Sequence, residues 1–174
     1  MEGVEGIVRS LVSQDNTVSL FEHMQLAMNG YDFSLKRGSG TLATLGVLVG
    51  DAVVLGLNDA MWQKYNVGRH FNTTKNNVFY HAKSNLDPNA SPNDPAGLYQ
   101  DHSAQAVLKR GGSFMVCHNA LTGRARTLAA QIGINPEAAL NEMSHNLLPG
   151  FMLVAAGVTA VQLAQENGWK FYPG

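Results

Sequence analysis

The sequence predicts an α/β fold in three layers. Short apolar runs without polar alternation, as in strands buried on both faces of a parallel sheet, occur near residues 43–49, 113–117 and 151–155. Each is followed by a turn and then by apolar residues at helical spacing. Strands that alternate with helices in this way build a parallel sheet covered by helices on its two faces. The 174 residues, 45% of them hydrophobic, suffice for one substantial core and not for two, so a single domain over residues 1–174 is expected.

Taken in chain order, Phe21, Met24, Met28, Tyr31 and Leu35 recur at three- and four-residue steps and predict a first helix. "KRGSG" stops it, since closely spaced glycines favour a turn. "TLATLGVLVG" is the first buried strand. Asp51 is placed to cap a following helix on which Val53, Leu57 and Met61 share a face, before "WQKYNVG" closes it. "SFMVC" is the next strand, with Leu121, Ala125, Leu128 and Ile132 marking the helix after it. Asn135 and Pro136 begin a separate helix that runs to Leu147, with proline at the first helical position, where its missing N–H costs little. "FMLVAAG" and "VTAVQLAQEN" form the last strand and helix pair, Gly168 ends that helix, and "WKFYP" is a closing aromatic strand.

The segment "HAKSNLDPNASPNDPAGLYQDHS", near 81–102, holds three of the six prolines and is expected to be a long surface loop. Twelve Lys and Arg against thirteen Asp and Glu leave no basic surface excess that would favour nucleic acid or an anionic membrane. No apolar run reaches the roughly 20 residues of a membrane-spanning helix. The chain therefore reads as soluble, and as cytoplasmic in the absence of a visible export signal, or periplasmic had a leader been removed.

One cysteine, Cys117, rules out a disulfide framework within the chain and leaves a free thiol. It ends the strand pattern "FMVC", where a helix N-terminus would favour thiolate over thiol. A lone cysteine is also often a small buried hydrophobe, and position by itself does not separate the two. His118 is a candidate base or cation beside the thiol, and Asn119 a candidate partner or simple helix cap. His23, His70, His81, His102 and His145 show no metal-ligand spacing, and the glycines of "GVLVGDAV" complete no phosphate-loop or dinucleotide fingerprint. No metal and no cofactor are expected. Asn58 and Asp59 read as a solvated or interface-facing step, and Trp62, Tyr65 and Trp169 as packing or subunit-contact aromatics.

Four stretches in this order, "MQLAMNGYDF", "GDAVVLGLNDAMWQKY", "FMVCHNAL" and "NLLPGFMLVAAGVTAVQLAQENGWKFY", give the chain a resemblance to the DsrE/DsrF-like family of sulfur metabolism. The branch it is most similar to is poorly characterised, and its members often carry a twin-arginine export leader. The resemblance spans nearly the whole chain. It implies a doubly wound, flavodoxin-like parallel sheet and assembly into homo-oligomers: dimers, trimers or hexamers. It further implies a cysteine at the end of a central strand that carries sulfur as a persulfide, a place matched by Cys117, with a sulfur donor or acceptor protein as partner. The expected function is that of a sulfur carrier or sulfurtransferase; the alternative is an oligomeric module that binds a small ligand, or a partner, without turnover.

Overall fold

A computed structural model describes residues 9–13, 17–37, 40–83, 85–87, 89–91, 94 and 97–173. Five parallel strands form one sheet: β1 (Arg9–Ser13), β2 (Thr44–Leu48), β3 (Ser113–Cys117), β4 (Phe151–Val154) and β5 (Lys170–Pro173), in the order β4-β3-β2-β1-β5. The sheet is doubly wound in three layers, as expected, with a strand order of its own beside the 2-1-3-4-5 of flavodoxin. From β1 to β4 each connection steps outward to the next strand. The last one returns past the whole sheet to place β5 on the far side of β1.

Right-handed crossovers put connections that run in opposite directions on opposite faces. The first face carries α1 (Thr17–Asn29), α4 (Ala104–Lys109), α5 (His118–Ile132) and α6 (Pro136–His145), with a 3-10 segment, Gly50–Gly56, tucked between. The second carries α7 (Gly157–Glu166). Leu45 and Val47 of β2 meet Val161 of α7, whereas Leu48, Phe114 and Val116 enter the larger core. All five residues of β2 are buried, which is why that strand lacks polar alternation.

Ring packing sets the first face. Phe114 stacks on Phe151 with centroids 4.6 Å apart and meets Phe21 edge-on at 5.3 Å. A Cβ at Gly46 would lie 2.8 Å from the Phe114 ring and 2.9 Å from the Met24 sulfur, so helix α1 closes on the sheet only because β2 has no side chain there.

Two helices depart from their expected outlines. After α1 the backbone widens into a π-helical turn, Gly30–Ser34, which carries Leu35 off the buried stripe into solvent. The helix expected from Asp51 through Met61 is two pieces. Gly50–Gly56 winds as 3-10 helix with Asp51 inside its first turn and Val49 at the cap position. Asn58, in extended conformation, then accepts the Met61 N–H at 3.1 Å and starts α2 (Asp59–Lys64). A short α3 (Val67–His70) follows. Asn135 and Pro136 open α6 as expected, with the Asn135 side chain accepting the N–H groups of Glu137 and Ala138. Gly133 and Gly168 adopt positive φ just past α5 and α7.

The 81–102 segment holds a 3-10 turn, Leu98–Gln100, and an isolated bridge between Asp87 and Gly97. Its two ends are tied together by buried Asp101, whose carboxylate accepts the N–H groups of Lys83 and Ser103, each at 2.9 Å. No described helix is long and apolar enough to cross a membrane.

Candidate functional site

Cys117 is the last residue of β3 and the N-cap of α5 at once. Its Sγ accepts the Ala120 N–H at 3.5 Å, the role a serine or aspartate oxygen plays at other helix starts. The side chain packs with the larger core, while at the start of α7 a Cβ built at Gly157 would stand 3.3 Å from the Cys117 Cβ and 2.4 Å from Val49. Gly157 thus lets the start of α7 close over the thiol, which is 7% exposed. The turns out of β3 and β4 are joined by the Asn119 N–H, which donates to the Ala155 carbonyl at 3.3 Å. From these adjacent strands the chain departs to opposite faces, α5 to one and α7 to the other. Crevices of that kind, beyond the carboxyl ends of parallel strands, are where open α/β sheets bind ligands.

Of the three residues singled out around the thiol, the structure places Cys117 and the Asn119 backbone in this junction. The Asn119 side chain is exposed, and the cap it was a candidate for is supplied by Cys117 itself. His118 is half-buried in the first turn of α5, and its carbonyl accepts the Thr122 hydroxyl at 2.9 Å. Among the described residues its imidazole makes no hydrogen bond to the thiol. No group of three or more metal-ligating side chains is found among the described residues.

Asn58 and Asp59 are structural. Asn58 caps α2, and Asp59 accepts the Asn77 N–H at 2.8 Å and pairs with His81 at 3.3 Å. Trp62 and Tyr65 are wholly buried packing residues. Burial pushes the Tyr65 phenol well above its usual range, and the hydrogen bond to Glu142 at 2.6 Å and that carboxylate's charge push the same way. The Lys64 hydrogen bond, then that of Tyr65, holds the Glu142 carboxyl below the usual carboxylate range. These groups tie α2 to α6 rather than lining a cleft.

Hollows lie on both sides of the molecule. Between α7 and the second face lies an apolar groove of about 480 Å3, walled by Leu45, Met115, Val154, Ala160, Leu163 and Trp169. On the other side of the molecule α3 and α5 border a polar cleft where Arg124 pairs with Asp51 at 3.0 Å. That second cluster was not foreseen, because its members are scattered along the chain and share no motif.

No family model and no curated protein matches the chain. Among solved structures, that of a protein of unknown function, MTH1491 from Methanobacterium thermoautotrophicum, is similar over 96% of this chain and 97% of its own, with 14% identity and a TM-score of 0.41.

Proposed function

We propose that the protein is a DsrE-like sulfur carrier in which Cys117 is the persulfide-forming residue. The observation that carries this reading is the position of the thiol, at the junction where the connections of β3 and β4 part and against the first N–H groups of α5. The thiolate is the reacting form of a cysteine that carries sulfur. That thiolate attacks the outer sulfur of a donor persulfide. One sulfur–sulfur bond forms on Cys117 as another breaks, and the donor leaves as its own thiolate, so no outside oxidant is consumed. Transfer to an acceptor thiol is the same step in reverse. Mass spectrometry of the intact protein after incubation with a persulfide donor is the test: one sulfur atom is gained on Cys117, and Cys117→Ser gains none. Wild-type protein that stays unmodified while folded would make the thiol a packing residue.

The chain also acts, in this reading, as a homo-oligomer. Residues 146–165 contain no charged side chain, and their outer surface leaves Met152, Val158 and Leu163 51%, 73% and 53% exposed. Depletion of charge is the mark of an interface core. Light scattering coupled to gel filtration should give a mass that is a multiple of the 18.7 kDa subunit, and Val158→Glu with Leu163→Glu should return it to the monomer. A wild-type monomer at micromolar concentration would refute the assembly. It would also favour a second reading of the same face, in which the apolar groove beside α7 binds a small apolar ligand.

A further inference from the structure

We propose that the polar cleft between α3 and α5 is a binding site for a small phosphorylated molecule, held by Arg69 and Arg124. The cleft is a cavity of about 770 Å3, a size usual for small-molecule sites. Arg69 and His70 reach it from α3, Arg124 and Gln131 from α5, with Asn66 at one end. Leu128 and Ile132 give it one apolar side. A second hollow of about 410 Å3 continues past Asn66 and Arg69 to Lys75. The lining of the two hollows therefore brings together three permanent cations, Arg69, Arg124 and Lys75, of which Arg124 is paired with Asp51, in a chain whose net charge is −1.

The guanidinium of Arg124 is held ready for an anion. One nitrogen, Nη1, lies 3.0 Å from Asp51 Oδ1, and Nη2 lies 3.1 Å from His70 Nε2. Arginine has only donors, so His70 accepts in that contact and is itself oriented by it. Nε of Arg124 is buried and closed off from solvent, so the donors left for a ligand are the second N–H of Nη1 and the second N–H of Nη2. Two such N–H groups on one planar guanidinium suit an oxyanion that accepts two hydrogen bonds side by side.

The opposite wall is fixed by backbone. Asn66 and Asn72, which bracket α3, both have left-handed φ, 52° and 51°. Such residues carry strain that persists where surrounding contacts hold it. The 73–75 turn is pressed onto α3, with the Gly68 carbonyl accepting the Thr73 N–H at 2.9 Å. Arg69 and Lys75 are thereby mounted on one braced corner, while Arg124 stands on a 15-residue helix. Two rigid walls of like charge, with an apolar strip beside them, match a phosphoryl group and its organic substituent. The site is separate from the thiol, so it stands or falls independently of sulfur transfer.

Calorimetric titration at low salt with inorganic pyrophosphate and with ADP tests the proposal, using adenosine as the uncharged control. Pyrophosphate is expected to bind, ADP to bind in competition with it, and adenosine to bind at least about tenfold more weakly than ADP. Arg69→Ala and Thr127→Glu should each weaken pyrophosphate by about tenfold or more. Thr127 is exposed on α5 at the cleft mouth and outside the Asp51 pair, so that variant keeps the fold while placing a carboxylate there. Arg124→Ala should lose binding too, with its circular dichroism melt recorded alongside. Absence of pyrophosphate binding at millimolar concentration would overturn the proposal. So would affinity unchanged in both Arg69→Ala and Thr127→Glu, or adenosine binding as tightly as ADP.

Discussion

Trp62→Ala is expected to lower the unfolding free energy by about 3–5 kcal/mol, the cost of emptying a buried indole site. The ring is fully buried, stacked on Phe71 at 5.6 Å and tilted against Phe79 at 6.1 Å. Its Nε1–H donates to the Val54 carbonyl at 2.8 Å, so truncation leaves both a cavity and an unpaired acceptor in the 3-10 segment. Trp62→Phe should refill most of the space and lose chiefly the hydrogen bond, at about 1–2 kcal/mol. Urea unfolding monitored by circular dichroism separates the two. A loss under about 1 kcal/mol for the alanine variant would contradict a fully buried indole.

Gly68→Ala is the second large effect, and its origin is steric. A Cβ on Gly68 would lie 1.8 Å from the Thr74 carbonyl oxygen, a backbone atom that no side-chain rotation can clear. Either α3 or the 73–75 turn must move, breaking the Thr73 N–H bond to the Gly68 carbonyl. Overpacking of this kind costs about 1–3 kcal/mol, and the lost hydrogen bond adds to it. The loss is expected at the upper end of that range in the same urea experiment. Gly123→Ala, on the exposed face of α5 with no atom within 4 Å of the added methyl, is the control and should be neutral or slightly stabilising. Equal melting of the Gly68 and Gly123 variants would sink the steric account.

The sequence discloses most of the sheet and little of what the helices do at their joints. Strands β2 and β3 are legible because burial makes them continuous apolar runs, and β4 reads the same way although its Met152 and Leu153 are exposed. Strand β1, "RSLVS", escaped notice: two apolar residues between Arg9 and serines are too few to distinguish a central strand from a loop. The single helix expected after Asp51 failed because apolar spacing continues across Asn58, whereas the break depends on the extended backbone and cap bond of that one residue. Cys117 at a strand end and helix start was readable from "FMVCHNAL", since both elements meet there in sequence. The Asp51, His70 and Arg124 cluster was not. Its members come from three elements, and what joins them is tertiary geometry.

The pairing of β5 with β1 bears on how the sheet can be completed. Arg9 stands opposite Lys170 and Val12 opposite Pro173, so one flank of a central strand is satisfied only by the strand made last. On a ribosome, β1 to β4 can assemble outward in the order of synthesis, each new strand adding to an edge already present. Throughout that time the other flank of β1 offers open backbone groups to any passing strand. Closing it joins segments near opposite ends of the described chain, the kind of distant contact that slows folding. Until then the nascent sheet is exposed to mispairing, and a chain stalled before β5 would keep that edge for good.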